Sequence, residues 1–169
     1  MSVYVDASAL VKRYVTEAGS ADVVALTNRA AAVATALVTR AEVAAAFARA
    51  VRVGVLDDVS GRRAQRRFSR EWPDVMRIPV TETLIALAET LAWAHGLRGY
   101  VAVQLASALN WQDALGQEIV LATFDRQLWE AASHAGVRAW PDRLPAWQRR
   151  CVATRSSLPL AQRGFGSAP

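Results

Sequence analysis

Short apolar runs, separated by longer amphipathic segments, recur along the whole chain. Five of these runs have the length and the bounding residues of buried strands, and they cover residues 3–5, 31–36, 76–80, 118–124 and 137–140. The segments between them carry apolar residues at helical spacing. Strands that alternate with helices predict right-handed crossovers and a parallel sheet. The pattern therefore predicts an α/β fold with three layers, α/β/α, around a parallel central sheet.

The amphipathic segments predict a set of helices with recognisable ends. Their approximate ranges are 7–14, 20–28, 39–52, 58–72, 81–96, 97–109 and 127–135. Residues 97–109 are apolar nearly all round, which predicts a buried helix. Asp113 lies beyond the predicted end of that helix, so we do not expect it to join a site formed near the start of the helix.

Acidic residues follow the predicted strands at equivalent places. Asp6 ends the run Val-Tyr-Val, Asp125 ends Ile-Val-Leu-Ala-Thr-Phe, and Glu42 lies in the first turn of the helix after the second strand. The carboxyl ends of parallel strands meet at one edge of a sheet, where ligands bind in open α/β folds. Three converging carboxylates suit a hard cation such as Mg²⁺ or Mn²⁺. We therefore expect a metal-binding catalytic site formed by Asp6, Glu42 and Asp125.

Each acid also has a purely structural interpretation. Asp6 can cap the helix that begins near Ala7, and Asp125 can cap the helix that begins at Arg126. Thr39 and Glu42 have the spacing of a capping box, in which the two side chains satisfy first-turn donors reciprocally. Taken one at a time, these alternatives remain open, and the joint pattern is what favours a site.

Composition narrows the class of protein. The chain has 169 residues, a length typical of one domain, and we assign residues 1–145 to it. Residues 146–169 form a basic tail rich in Pro, Gly and Ser that we expect to be disordered or ordered by a partner. Cys151 is the only cysteine, which excludes an internal disulfide or a thiolate zinc site. No apolar run approaches the ~20 residues of a membrane span, so we expect a soluble, cytoplasmic protein with no membrane partner.

Basic residues are unevenly placed. The net charge of +5 comes from the tail, because residues 1–142 contain 15 basic and 15 acidic groups. One predicted helix nevertheless carries a basic stripe, which is either a solvated face or a docking surface for phosphate or an acidic partner. The stripe consists of Arg62, Arg63, Arg66, Arg67 and Arg70. Lys12 is the only lysine, which excludes a phosphoacceptor receiver domain, because such a domain needs a lysine near its last strand.

Several segments together resemble the PIN-domain ribonucleases, and among them the VapC toxins of type II toxin–antitoxin systems. The resemblance runs from about Val3 to Pro141 and rests on an ordered set of motifs. These motifs are VYVDASALVKRY, the E-x-G-S of 17–20, VATALVTRAEVAAAF, RIPVT, HGLRGYVAVQLASAL and VLATFDRQLWEAA.

The resemblance implies a metal-dependent endoribonuclease that uses Mg²⁺ or Mn²⁺ and cleaves RNA. It also implies a homodimer that is neutralised by a small cognate antitoxin. By position, Asp6 is similar to the first acid of the family, Glu42 to the second and Asp125 to the fourth. Ser8 matches a small hydroxyl residue near the site, where it can equally cap a helix.

The third acid of the family is missing from this chain. The family motif runs roughly L-R-A-Y-D-A-V-H-L-A-S-A-L, and here Val101 stands at the aspartate and Gln104 at the usual histidine. Valine offers no lone pair to a cation, so we expect weakened or absent cleavage. The alternative is a catalytically silent PIN-fold module that binds an antitoxin or RNA. From the sequence alone, Val101 also fits an ordinary core position on a buried helix.

Overall fold

The computed structural model describes residues 1–144, which form a five-stranded, fully parallel sheet. The strands are β1 (Ser2–Val5), β2 (Ala32–Ala36), β3 (Met76–Ile78), β4 (Ile119–Ala122) and β5 (Arg138–Trp140). Their order across the sheet is β3-β2-β1-β4-β5, so the first strand of the chain lies at the centre. The predicted α/β class and parallel sheet are confirmed. The tail assigned to 146–169 lies outside the described residues.

Helices cover both faces of the sheet, as the alternating pattern predicted. They are α1 (Ala7–Leu10), α2 (Ser20–Arg29), α3 (Thr39–Arg52), α4 (Asp58–Glu71), α5 (Glu82–His95), α6 (Gly99–Leu115) and α7 (Arg126–His134). Short 3₁₀ turns at Val11–Arg13 and Trp72–Asp74 follow α1 and α4.

Side chains of β1 alternate between two hydrophobic cores, because successive residues of a strand point to opposite faces. Tyr4 belongs to the core that α5, α6 and α7 cover. Val3 and Val5 belong to the core that α1, α3 and α4 cover, which includes Phe47 and Phe68. Two separate cores on the two faces of one sheet are what a three-layer α/β/α domain requires.

The strand register brings the ends of the central strands to one edge. Val5 pairs with Ala122, so the residues that follow β1 and β4 emerge side by side. Helix α6 extends to Leu115, which places Asp113 inside it and not beyond its end; that prediction was wrong. Within residues 1–144, no helix is long and apolar enough to cross a membrane.

Candidate functional site

A cavity of about 330 Å³ opens at the carboxyl edge of the sheet. Its lining includes the three acids singled out from the sequence together with three residues of the segment that begins α6. These lining residues are Asp6, Glu42, Asp125, Arg98, Val101 and Gln104. The three acids that were expected at one crevice therefore all line the same cavity.

Asp6 is both a helix cap and a wall of the cavity. It follows β1 directly, and its Oδ1 accepts hydrogen bonds from the Ala9 N–H at 3.1 Å and the Ser8 hydroxyl at 2.8 Å. Asp6 is only 5% exposed. The two interpretations of this acid were therefore not exclusive, because the side chain that caps α1 also lines the cavity.

Burial disfavours the charged form of Asp6. Desolvation raises the pKa of its carboxyl to about 7, although hydrogen bonds from Ser8, the Ala9 N–H and Thr123 oppose the rise. The negative charge of Asp125 adds a smaller upward contribution to the pKa. The carboxyl is consequently poised near neutral pH, and a cation in the cavity would favour its ionised form.

Asp125 is held from two sides. One oxygen caps α7 by accepting the Leu128 N–H at 3.1 Å, and the other accepts a hydrogen bond from the Arg98 guanidinium at 2.8 Å. Arg98 also donates to the Gln127 side chain at 3.0 Å. A positive charge from the protein therefore already lies against one of the acids of the cavity.

Glu42 approaches the cavity from the first turn of α3. Its Oε2 accepts a hydrogen bond from the Gln104 side-chain amide at 2.5 Å. Burial raises the pKa of Glu42, and the Gln104 hydrogen bond opposes that rise. The capping-box interpretation was wrong, because α3 has no side-chain cap and Thr39 bonds instead to Thr35 and Gln104.

Val101 lies both in the hydrophobic core and in the wall of the cavity. It is 8% exposed and packs in the core with Leu105, and its side chain also reaches the wall of the acidic cavity. The position at which the resemblance implies a third acid thus lines the same cavity as the other acids. Valine closes this part of the wall with an apolar surface.

The acids offer the ligand type that Mg²⁺ and Mn²⁺ prefer, carboxylate oxygen. Among residues 1–144, however, no three Asp, Glu, His or Cys side chains are grouped closely enough to hold a metal ion. The donor set therefore fits a divalent cation in its chemistry and falls short in number. The shortfall coincides with Val101, where a carboxylate would face the same cavity.

Two contacts in the cavity were not predicted from the sequence, although Gln104 had been noted at the position of the family's usual histidine. Arg98 pairs with Asp125, and Gln104 bonds to Glu42, across 27 and 62 positions of the chain respectively. One indication of the Gln104 contact was present in the sequence. Gln104 is a polar residue inside an otherwise apolar helix, and such residues need a buried partner. Which partner it finds depends on tertiary structure.

Two curated relatives match most of the chain. The chain is 39% identical over 143 residues to Ribonuclease VapC45 of Mycobacterium tuberculosis strain CDC 1551 / Oshkosh, covering 84% of this chain and 96% of the relative. Ribonuclease VapC49 of strain ATCC 25618 / H37Rv matches with the same identity and coverage. No family model matches the chain.

Two solved structures share the fold at low sequence identity. The crystal structure of PAE2754 from Pyrobaculum aerophilum superposes with a TM-score of 0.56 at 22% identity, covering 90% of each chain. FitAB bound to an IR36 DNA fragment superposes with a TM-score of 0.60 at 17% identity, covering 82% of this chain and 93% of the other.

The parallel sheet, the helices on both faces and the acids at the carboxyl edge are those expected of the PIN-domain class that the sequence motifs resemble. The extent of the match to the two mycobacterial proteins then fixes the family within that class. This chain belongs to the VapC ribonucleases, as the motifs in the sequence had indicated.

Proposed function

We propose that this chain is the toxin of a toxin–antitoxin pair, a Mg²⁺- or Mn²⁺-dependent endoribonuclease whose cleavage of RNA is weakened by Val101. The supporting observation is the placement of Val101 in the wall of the cavity that Asp6, Glu42 and Asp125 line. Family membership supports a ribonuclease, and the cavity supplies the residues for it.

Asp6 and Asp125 would hold the cation, with Glu42 beside them. When bound, a divalent cation polarises a phosphodiester and lowers the pKa of a water molecule. The chain itself orients the acids: Ser8 and the Ala9 N–H fix the Asp6 carboxyl, and the Leu128 N–H fixes that of Asp125. Pre-positioned ligands reduce the ordering that cation binding requires.

The proposed partners follow from the same assignment. The substrate is RNA, and a small cognate antitoxin neutralises the toxin, which acts as a homodimer in the cytoplasm. A solved toxin–antitoxin complex from Klebsiella pneumoniae has a TM-score of 0.50 to this chain at 15% identity, so it supports the shared fold. Co-purification of the full chain with the product of the adjacent gene tests the antitoxin.

The decisive variant is Val101→Asp, with Val101→Asn as a matched control of nearly equal size that lacks the charge. Even changes beyond the direct ligands of a metal alter its affinity by about 10- to 100-fold. We therefore expect Mn²⁺ affinity, measured by calorimetry, and Mn²⁺-dependent RNA cleavage to rise at least tenfold in Val101→Asp. Val101→Asn should change neither by that much, and Asp6→Ala should abolish cleavage.

Folding of the variant is measured in parallel, because Val101 is buried. A carboxylate at this position adds charge repulsion in the absence of metal, so Val101→Asp should be less stable there. Added Mn²⁺ should restore the stability of the variant, since a ligand at 100 times its Kd stabilises the folded state by about 2.7 kcal/mol. Strong cleavage by the unchanged chain that Val101→Asp does not increase would contradict the missing-ligand explanation. Absence of cleavage in every variant, despite Mn²⁺ binding, would favour the silent binding module.

A further inference from the structure

A buried polar chain connects the central strand to Glu42. The Tyr4 hydroxyl donates to Gln104 Oε1 at 2.7 Å, and Gln104 Nε2 lies 2.9 Å from Thr39 Oγ1. Thr39 Oγ1 in turn lies 2.9 Å from Thr35 Oγ1, which is 2.6 Å from the carbonyl oxygen of Val5. Val5 is the residue before Asp6, so this chain of contacts starts beside one acid.

The direction of these hydrogen bonds follows from the donor count. A hydroxyl carries one proton, so Thr35, which donates to the Val5 carbonyl, can only accept from Thr39. Thr39 then accepts from Gln104 and donates to Thr35. The Tyr4 phenol has one proton to donate, and Gln104 Oε1 accepts it at 2.7 Å.

These neighbours orient the Gln104 amide. Its oxygen faces the Tyr4 hydroxyl and one of its N–H groups faces Thr39, an orientation that satisfies all of these buried groups. The second N–H points to Glu42 Oε2, at 2.5 Å. An amide with the opposite orientation would place its oxygen against the carboxylate and its N–H₂ group against the Tyr4 donor.

Glu42 needs such a partner because it stands at the start of a helix on a long, flexible side chain. Ordering a glutamate side chain costs up to about 2 kcal/mol of conformational entropy. Gln104 is 3% exposed and makes three hydrogen bonds, so its side chain is restrained by several partners. It can therefore hold the carboxylate in place before any ligand arrives.

We infer that Gln104 is a positioning residue that holds the Glu42 carboxylate in the acidic cavity, and that Tyr4 and Thr39 set its orientation. The role of the held carboxylate in metal binding rests on the proposed function. The hydrogen-bond geometry does not, so the two can be tested separately.

The first measurement needs no metal and no activity. In the full chain, the two Gln104 side-chain N–H resonances should exchange with solvent at least tenfold more slowly than those of Gln112, a half-buried glutamine on the same helix. Glu42→Ala and Tyr4→Phe should each accelerate the exchange of Gln104 and leave Gln112 unchanged. Equal exchange rates of the Gln104 side-chain N–H groups in the unchanged chain, Glu42→Ala and Tyr4→Phe would overturn the inference.

The second measurement tests the consequence for the site with Mn²⁺ calorimetry in the Val101→Asp background. Gln104→Met keeps the side-chain length and removes both polar groups, and it should weaken Mn²⁺ binding by about 10- to 100-fold. Gln112→Met makes the same chemical change away from the cavity and should leave the affinity unchanged. Gln104→His should restore most of the affinity, because a neutral imidazole accepts on one nitrogen and donates on the other.

The outcomes separate the two ideas. Slow Gln104 exchange with no Mn²⁺ binding in any variant supports the positioning contact and refutes the metal-dependent function. Mn²⁺ binding that is equally tight in the Gln104→Met and Gln112→Met chains overturns the positioning role and leaves the proposed function standing.

Discussion

Replacing Asp6 by asparagine should stabilise the folded protein at alkaline pH while it removes an acid of the site. The carboxyl is buried, and desolvation raises its pKa from an ordinary 3.8 to about 7. Between these two values the folded state binds more protons than the unfolded state, so the free energy of unfolding falls as pH rises. Below pH 3.8 the full contribution is present, and above about pH 7 it is lost.

The size of the effect follows from the pKa difference. Each pKa unit corresponds to about 1.36 kcal/mol, so ionising Asp6 costs the folded state on the order of 4 kcal/mol at pH 8. Asparagine keeps an oxygen for the Ala9 N–H and Ser8 contacts and carries no charge. We expect Asp6→Asn to be more stable than the unchanged chain by about 2 to 4 kcal/mol at pH 8. Asp6→Ala should gain about 1 kcal/mol less, because it also loses the helix cap.

The assay is urea unfolding followed by tryptophan fluorescence from pH 4 to pH 9, with a chelator present to exclude divalent cations. The difference between Asp6→Asn and the unchanged chain should shrink steadily as pH falls and nearly vanish near pH 4. A difference that is independent of pH, or an asparagine variant that is less stable at pH 8, would refute the reasoning. Added Mn²⁺ should then stabilise the unchanged chain more than the variant.

Two further substitutions test other contacts of the site and its surroundings. Arg98→Ala should raise the affinity for Mn²⁺ about two- to fivefold in calorimetry, because it frees an oxygen of Asp125 from an exposed ion pair. Arg98→Lys should change the affinity less. A lower affinity in Arg98→Ala would contradict this explanation. Lys12→Met should lower the free energy of unfolding by about 1 to 3 kcal/mol. The Lys12 side chain is buried, and its Nζ donates to the Ala18 carbonyl and to Glu17, both at 2.9 Å. An unchanged urea midpoint would show that these contacts contribute little.

Local patterns were sufficient to predict the fold class and the edge of the sheet at which the three acids lie. Asp6 and Asp125 could be placed from sequence because each directly follows a strand, and parallel strands bring such residues to one edge. The strand order across the sheet could not be obtained in the same way. Strand β1 pairs with β4, more than a hundred positions away, and the spacing of apolar residues within a segment does not indicate which strand will be its neighbour.

Glu42 illustrates where local reasoning fails. Thr39 and Glu42 have the spacing of a capping box, yet both side chains turn to Gln104, 65 and 62 residues away. The buried amide outcompetes the cap because its own polar groups must be satisfied inside the protein, whereas first-turn N–H groups can bond to water. A long-range requirement thus overrides a short-range preference.

The segment that begins α6 contributes three residues to the cavity. Arg98, Val101 and Gln104 are spaced three residues apart and line the same cavity, and the outer two donate hydrogen bonds to Asp125 and Glu42. With valine between them, the cavity is lined by three acids and one guanidinium, and burial alone already disfavours ionisation of Asp6. An aspartate at position 101 would add a further charge to an arrangement that lacks a cation, and so would lower stability in metal-free solution. Under the proposed function, the valine that removes a ligand from the cation therefore also avoids repulsion in the metal-free protein. Consequently, Val101→Asp should gain metal affinity and lose metal-free stability together, and the two effects should share one origin in the charge of the cavity.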